Sequence, residues 1–213
     1  GLTGLDEAIL DFILLNFSII LFITKMFVHK KRYFFITENI KNINLENIKK
    51  LNKFNIIYRT NKLKDKKTDL LKFRNICKRK RINFYVANNL QLSKTIKADG
   101  LYISAFNKSL KYKYFKKFNF KIIGSAHNHA ELKIKELQGC SIIFLSRLFK
   151  TNYKNKKNFL GLVKFNLFSL KTNLSPLGGI NRKNLNYLKN IKCDSFALSS
   201  AFIKDNKINK MFY

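Results

Sequence analysis

Short apolar runs alternate with longer polar segments along most of the chain. From Tyr33 onward the apolar runs have strand length and are continuous, which is typical of strands buried on both faces of a parallel sheet. The predicted strands are Tyr33–Thr37, Phe54–Arg59, Ile82–Ala87, Gly100–Ser104, Phe120–Gly124, Ser141–Leu145, Leu174–Leu177 and Ser195–Leu198. The predicted helices between them are Leu45–Leu51, Asp69–Lys80, Leu90–Ile96, Leu110–Phe118, Ala130–Leu137, Leu160–Leu170 and Leu185–Asn190.

The alternation of eight strands with helical segments predicts an α/β fold. Eight βα units joined by short loops favour a closed (β/α)8 TIM barrel in a single domain over an open doubly wound sheet. A dinucleotide fold is disfavoured, because no Gly-x-Gly-x-x-Gly follows the first strand. The 213 residues suit one domain near the lower size limit of such barrels, and an apolar fraction of 46% is enough for a core.

An apolar segment, Ala8–Phe27, precedes the first strand. We therefore divide the chain into an apolar N-terminal extension, residues 1–27, and a barrel, residues 28–213. The segment has about the length of a bilayer span, but Asp11 lies inside it. Three interpretations stay open: an anchor helix, a non-native start with Met26 as the true first residue, and an amphipathic helix that closes the bottom of the barrel.

The charge of the chain is strongly positive. Lys and Arg number 43 against 12 Asp and Glu, which gives a net charge of +31. Such a charge is either an electrostatic footprint for nucleic acid, membrane or an anionic ligand, or the product of an A/T-rich genome that favours Lys, Asn, Ile and Phe. Because the lysines are spread along the whole chain, we attribute most of the charge to composition and a smaller part to an anionic ligand.

The three cysteines follow no recognisable pattern. Cys77, Cys140 and Cys193 lie far apart, and none belongs to a Cys-x-x-Cys motif. This argues against a disulfide framework and against a zinc site. Cys140 and Cys193 fall where strands should begin, so we expect them to be packed in the core. The pattern predicts a reducing, cytoplasmic compartment.

Small, hydroxyl and basic residues follow the last three predicted strands. In TIM barrels a phosphate commonly binds at the C-terminal mouth, beside the loops after strands seven and eight. Gly178-Gly179 follows the seventh strand and would let backbone N–H groups approach an anion, and Ser200-Ala201 follows the eighth. Thr151 and Lys154 follow the sixth strand and supply a hydroxyl and a cation. Together these residues predict a phosphate cup.

Five ordered sequence blocks carry a family resemblance. They read ADGLYIS, IIGSAH, LFKTNYK with a later LGL, LGGINRKNL and DSFALSSAF, within a stretch from Tyr33 to Ile203. This arrangement resembles the thiamine-phosphate synthase/TenI family. The resemblance implies a (β/α)8 barrel of thiamin biosynthesis. Synthase members join an aminopyrimidine diphosphate to a thiazole phosphate with Mg²⁺ on the diphosphate. TenI members catalyse a proton shift on the thiazole phosphate without metal, using a His.

The resemblance also implies roles for matching residues. The catalytic candidates are Arg59, Ser125 and His127. The phosphate-binding candidates are Thr151, Lys154, Gly178, Gly179, Ser200 and Ala201. The candidates on the pyrimidine and diphosphate side are Asn61, Lys62, Asn88 and Asn107. His127 is either a TenI-like acid/base, because imidazole titrates near neutral pH, or a hydrogen-bonded structural residue.

The chain departs from the family pattern on the diphosphate side. Asn88 and Asn107 stand where the family has the two carboxylates that hold Mg²⁺, and Tyr102 replaces a His in strand four. In the strand-two motif Ile57 replaces a Gln, and Asn61 replaces a basic residue, with Lys62 one step later. Amides supply no charge to replace water around a hard cation. No metal ligand is therefore predicted, and Mg²⁺ stays an open candidate cofactor.

Three functional hypotheses follow. The first is a thiamine-phosphate synthase-like transferase whose substrates are thiazole phosphate and aminopyrimidine diphosphate. The second is a TenI-like, metal-independent thiazole tautomerase with His127 as acid/base. The third is a non-catalytic barrel that binds a phosphate ligand or nucleic acid. Under the first two hypotheses nucleic acid is not an expected partner, and the only segment expected to contact a membrane is residues 8–27.

Overall fold

Eight parallel strands form one closed barrel. The computed structural model describes residues 9, 12–16, 31–45, 48, 53–60, 65–118, 120–151, 158–170, 172–181 and 183–199. The strands are β1 (Arg32–Thr37), β2 (Phe54–Tyr58), β3 (Asn83–Ala87), β4 (Gly100–Ile103), β5 (Lys121–Ala126), β6 (Ile142–Ser146), β7 (Leu174–Leu177) and β8 (Ser195–Ser199). They pair in sequence order, and β8 pairs with β1 to close the sheet. The predicted fold class and all eight predicted strands are confirmed.

The helices lie between the strands, as βα units require. The described α-helices that follow β1 are α1 (Lys67–Arg79), α2 (Leu90–Thr95), α3 (His129–Leu137) and α4 (Gly161–Ser169). Ile40–Asn42, Leu110–Phe118 and Leu185–Asn190 are 3-10 helices. The last two were predicted as helices without a type. The predicted helix Leu45–Leu51 lies mostly outside the described residues.

The segment Leu110–Phe118 is a 3-10 helix. Tyr and Phe are weaker helix formers than Leu or Lys, and this segment alternates them with lysines. Its buried residue Tyr112 packs with Leu101 and Ile122 on the outer side of β4 and β5. The segment is therefore held by contact with the sheet rather than by helix propensity.

A layer of seven buried side chains lies in the middle of the barrel. Its members, one from each of seven strands, are Phe34, Ile57, Tyr85, Tyr102, Ile123, Phe144 and Ala197. The strand register agrees with this layer, because Ile57 pairs with Tyr85 and Tyr102 pairs with Ile123. Successive residues of a strand face opposite sides. The next inward position toward the mouth is therefore Ser125 on β5, and the same alternation continued past β2 reaches Arg59.

The remaining core lies between the sheet and its helices. Cys77 is buried on α1, and Cys140 and Cys193 are partly buried two residues before β6 and β8. All three are free thiols. Burial raises the pKa of the Cys77 and Cys140 thiols to about 12. The packing role predicted for Cys140 and Cys193 is consistent with their partial burial against the core.

Most of the apolar N-terminal extension lies outside the described residues. Residues 12–16 are helical and exposed to solvent. Across the described part of the chain, no helix has the length and apolar character needed to cross a membrane. The division of the chain at residue 27 and the role of the extension stay predictions.

Candidate active site

The C-terminal ends of the strands bring the described candidate residues to one mouth of the barrel. Parallel strands in a closed barrel all end on the same side. The described candidates are Arg59 after β2, Asn88 after β3, Asn107 after β4, Ser125 and His127 at and after the end of β5, Thr151 after β6, and Gly178 and Gly179 after β7. Asn61, Lys62, Lys154, Ser200 and Ala201 lie outside the described residues, so their predicted positions are untested.

The loops after β6 and β7 are joined by backbone hydrogen bonds. Leu148 N–H donates to the Leu177 carbonyl at 3.0 Å, and Phe149 N–H donates to the Gly178 carbonyl at 3.1 Å. Gly179 has φ +72° and lies against the other loop, because a Cβ there would be 2.4 Å from the Phe149 carbonyl oxygen. Only glycine fits this conformation and this contact. Two of the three loops assigned to the phosphate cup therefore form one unit.

The geometry of Gly178-Gly179 suits an anion. Both residues have positive φ, and in the described part of the chain their N–H groups donate no hydrogen bond outside the strands. The Gly179 carbonyl is held by the Asn184 side-chain amide at 2.7 Å. Successive N–H groups in such a turn form a concave nest for negative charge.

Arg147 is a cation of this region that the sequence-based reasoning missed. It follows β6 directly, its side chain packs against Gly178, and its Nη1 donates to the Thr151 hydroxyl at 3.4 Å. Arginine is well suited to phosphate because its planar group presents several donors. The available signal was its position at the C-terminal end of β6, where the phosphate loop begins.

Tyr102 occupies the centre of the barrel below the mouth. It is fully buried, and burial raises the pKa of its phenol, whereas the Ser125 hydroxyl and the positive charge of Arg59 lower it. Within the described residues the phenol oxygen makes no hydrogen bond of standard geometry. Arg59 is exposed, and Ser125 is 6% exposed. Ser125 and Arg59 are thus the groups above Tyr102 whose polarity and charge act on its phenol.

His127 lies at the rim of the mouth and is held by Glu131. Its Nδ1 is 3.0 Å from Glu131 Oε2, and its backbone N–H donates to the same oxygen at 2.7 Å. The His127 side chain is 55% exposed. A carboxylate behind one ring nitrogen fixes the orientation of the imidazole and leaves the other nitrogen available for proton transfer.

The two amides predicted to lie on the diphosphate side contact each other. Asn107 Nδ2 donates to Asn88 Oδ1 at 3.2 Å and to the Tyr112 hydroxyl at 3.3 Å. Asn88 Oδ1 also accepts from Ser104 N–H at 3.0 Å, and Asn88 Nδ2 donates to the Ser104 hydroxyl at 2.7 Å. We name Asn88, Ser104, Asn107 and Tyr112 the amide clasp. It connects the loops after β3 and β4.

A buried lysine supports the amide clasp from below. Lys135 on α3 is fully buried, and its Nζ donates to the Asn107 carbonyl at 2.7 Å and to Gln138 Oε1 at 2.9 Å. Gln138 Nε2 donates to the Asn107 and Ser109 carbonyls. Burial lowers the pKa of Lys135, and the nearby Cys140 and Glu131 offset part of this effect. The lysine stem crosses β5 at Gly124, where a Cβ would meet it at 2.9 Å.

The metal chemistry of the family does not fit the residues present. Among the described residues there is no group of three or more His, Cys, Asp or Glu side chains that could hold a metal ion. The positions of the two family carboxylates carry amides whose polar atoms bond to each other and to their neighbours. Mg²⁺ prefers charged oxygen ligands in octahedral geometry. We therefore derive no catalytic step through a metal.

Sequence comparison identifies relatives. A family model described as thiamine monophosphate synthase (TMP-TENI) matches residues 34–202. The chain is 30% identical to the thiamine-phosphate synthase of a Prochlorococcus marinus strain over 133 residues, which are 60% of this chain and 38% of that protein. It is also 30% identical to the thiamine-phosphate synthase of Methanococcus vannielii over 128 residues, which are 59% of this chain and 62% of that protein. It spans 38% and 42% of the first two curated relatives.

Solved structures share the fold. A thiamine phosphate pyrophosphorylase from Pyrococcus furiosus superposes with a TM-score of 0.65 at 19% identity, covering 86% of this chain and 92% of that one. An N-(5'-phosphoribosyl)anthranilate isomerase from Pyrococcus furiosus superposes with a TM-score of 0.61 at 13% identity, covering 85% of this chain and 96% of that one. Since these barrels carry different names, the fold alone does not identify the reaction.

Proposed function

The chain belongs to the thiamine monophosphate synthase family, as its motifs indicated, and from this premise we propose that it is a transferase of thiamin biosynthesis. The proposed substrates are an aminopyrimidine diphosphate and a thiazole phosphate. The thiazole nitrogen bonds to the pyrimidine methylene carbon, the bond from that carbon to the diphosphate breaks, and pyrophosphate leaves. The protein's task is to position both substrates and stabilise the leaving anion.

The observation that carries the proposal is the joined pair of loops after β6 and β7. We assign the thiazole phosphate to Gly178, Gly179 and Thr151, with Arg147 as an additional cation. The predicted contributions of Lys154, Ser200 and Ala201 belong to the same cup and stay predictions. Arg59 and Ser125 are proposed to act at the reacting atoms, because the strand alternation directs both toward the barrel centre.

Transferase activity is the first test. The full chain incubated with both substrates is expected to form thiamin phosphate and an equal amount of pyrophosphate. Thr151→Val should raise KM for thiazole phosphate about tenfold, because one hydrogen bond to a charged group is lost. The control Thr95→Val removes an exposed hydroxyl at the end of α2 and should leave KM unchanged. Absence of thiamin phosphate under all metal conditions would refute the proposal.

A thiazole tautomerase is the second candidate, favoured by the His127–Glu131 pair at the rim. If this pair moves the proton, His127→Asn should lower kcat for tautomerisation about a hundredfold or more, the usual contribution of a general acid/base. Glu131→Gln should lower it less, because the amide still supports the ring. His129→Asn, on an exposed neighbour, is the control. NMR of the thiazole phosphate follows the proton shift. No tautomerisation by the unaltered chain rejects this candidate.

A further inference from the structure

The amide clasp leaves little capacity for a cation. An amide oxygen has two lone pairs and an amide nitrogen has two hydrogens. Asn88 Oδ1 already accepts from Ser104 N–H and from Asn107 Nδ2, and Asn107 Nδ2 uses both hydrogens, on Asn88 and on Tyr112. Asn107 Oδ1 accepts from Ser109 N–H at 3.1 Å. A metal ion would have to displace these bonds and would gain only neutral ligands.

The amide clasp also links two loops, as a bridging metal ion would. It joins the loop after β3 to the loop after β4 by direct bonds between Asn88, Ser104 and Asn107. Lys135 and Gln138 fix the Asn107 carbonyl from the other side. The positions of the two loops therefore do not depend on a metal.

We infer that this side of the mouth binds a diphosphate as a metal-free anion, with the positive charge supplied by Arg59 and Lys108. Lys108 directly follows Asn107 in the loop after β4, and Arg59 directly follows β2. Both side chains are exposed. Because the amides carry no negative charge, the field of these cations is not cancelled as it would be by two carboxylates. The inference rests on the proposed function, since it assumes that a diphosphate enters here.

Binding of inorganic pyrophosphate tests the inference directly. Calorimetry in a chelator is expected to give saturable binding that added Mg²⁺ does not tighten. The double variant Arg59→Met/Lys108→Met should weaken binding in chelator about tenfold or more, because two charged contacts are lost. The control Lys72→Met/Lys133→Met removes the same net charge from exposed positions on α1 and α3 and should change the affinity less than twofold. Tenfold tighter binding by the unaltered chain in Mg²⁺ would overturn the inference.

Replacement of both clasp amides by carboxylates should make the Tm of the protein depend on Mg²⁺. Asn88→Asp/Asn107→Asp places like charges together and removes the two amide donors of the clasp, so Tm in chelator should fall by about 4–8 °C. Mg²⁺ should recover much of this loss, because it binds only the folded state. Asp tolerates the φ of +56° at position 88. The control Asn75→Asp/Asn128→Asp, at two exposed positions, should show no Mg²⁺ dependence of Tm.

The outcomes separate this inference from the proposed function. Metal-free pyrophosphate binding without any thiamin phosphate formation would refute the transferase and leave the anion site standing. Thiamin phosphate formed only with Mg²⁺, together with a Mg²⁺-induced rise in Tm of the unaltered chain, would establish the transferase and end the inference.

Discussion

Replacement of Gly179 by alanine is expected to weaken thiazole-phosphate binding by about a hundredfold, because a shift of the cup loops would break hydrogen bonds to a charged group that are worth about 1.5–3 kcal/mol each. The new Cβ would lie 2.4 Å from the Phe149 carbonyl oxygen and 2.7 Å from that of Lys150. These atoms are backbone and cannot move aside without shifting the loop that carries Thr151. The φ of +72° adds strain of about 1–2 kcal/mol for any residue with a Cβ. Calorimetry with thiazole phosphate and urea unfolding measure the two effects.

Gly161 provides the matched control for Gly179. It also has φ +72°, but a Cβ there would have no atom within 4 Å. Gly161→Ala should therefore show the backbone strain alone, with a loss of about 1–2 kcal/mol in unfolding free energy and unchanged affinity. The difference between the two variants isolates the contact between the loops after β6 and β7. Normal affinity in Gly179→Ala would mean that these loops do not form the phosphate cup.

The second large effect is expected at Lys135. Lys135→Glu should lower the free energy of unfolding by about 4 kcal/mol, because it places a buried charge against groups that can only repel it. The Asn107 carbonyl and Gln138 Oε1 both accept hydrogen bonds from Lys135 Nζ. A carboxylate there would face two acceptors and would have to be protonated to remain inside. Urea unfolding at neutral pH measures the loss.

Two further variants test whether the loss of stability in Lys135→Glu comes from the buried charge or from the change in net charge. Lys133→Glu on the same helix changes the net charge equally at an exposed position and should shift stability by less than about 0.5 kcal/mol. Lys135→Met keeps the length of the buried stem and removes the charge, but it leaves Gln138 Oε1 without its donor, so the loss should be about 1–3 kcal/mol and smaller than in Lys135→Glu. Equal losses in Lys133→Glu and Lys135→Glu would show that the effect comes from net charge and would contradict the role assigned to the buried lysine.

The sequence alone predicted much of the barrel. The eight strands follow from short, continuous apolar runs, because a strand covered on both faces needs apolar side chains on both. The predicted Leu174–Leu177 strand coincides with β7. Strand β5 extends to Ala126, so Ser125 lies inside the strand rather than after Gly124 as predicted. The motif blocks also located the glycine turn, because Gly178-Gly179 directly follows the seventh apolar run.

Contacts between residues that are distant in the chain could not be predicted from the sequence. Asn88 bonds to a residue 19 positions away, and Lys135 bonds to a carbonyl 28 positions away. Local propensity carries no information about such pairs. The predicted separate roles of Asn88 and Asn107 gave no sign that the two amides bond to each other. Arg147 was likewise missed, because Gly178, against which it packs, lies in the loop after the next strand.

The sequence by itself determined the number and order of the strands, the family, and the segments that end at the mouth. These properties depend on residue type and spacing, because short stretches of sequence determine which residues are buried and where the chain turns. The tertiary structure decided which side chains meet. Closure of the barrel sets the register, the register sets which residue of each strand faces inward, and only then do Gly179 meet Phe149 and Asn107 meet Asn88.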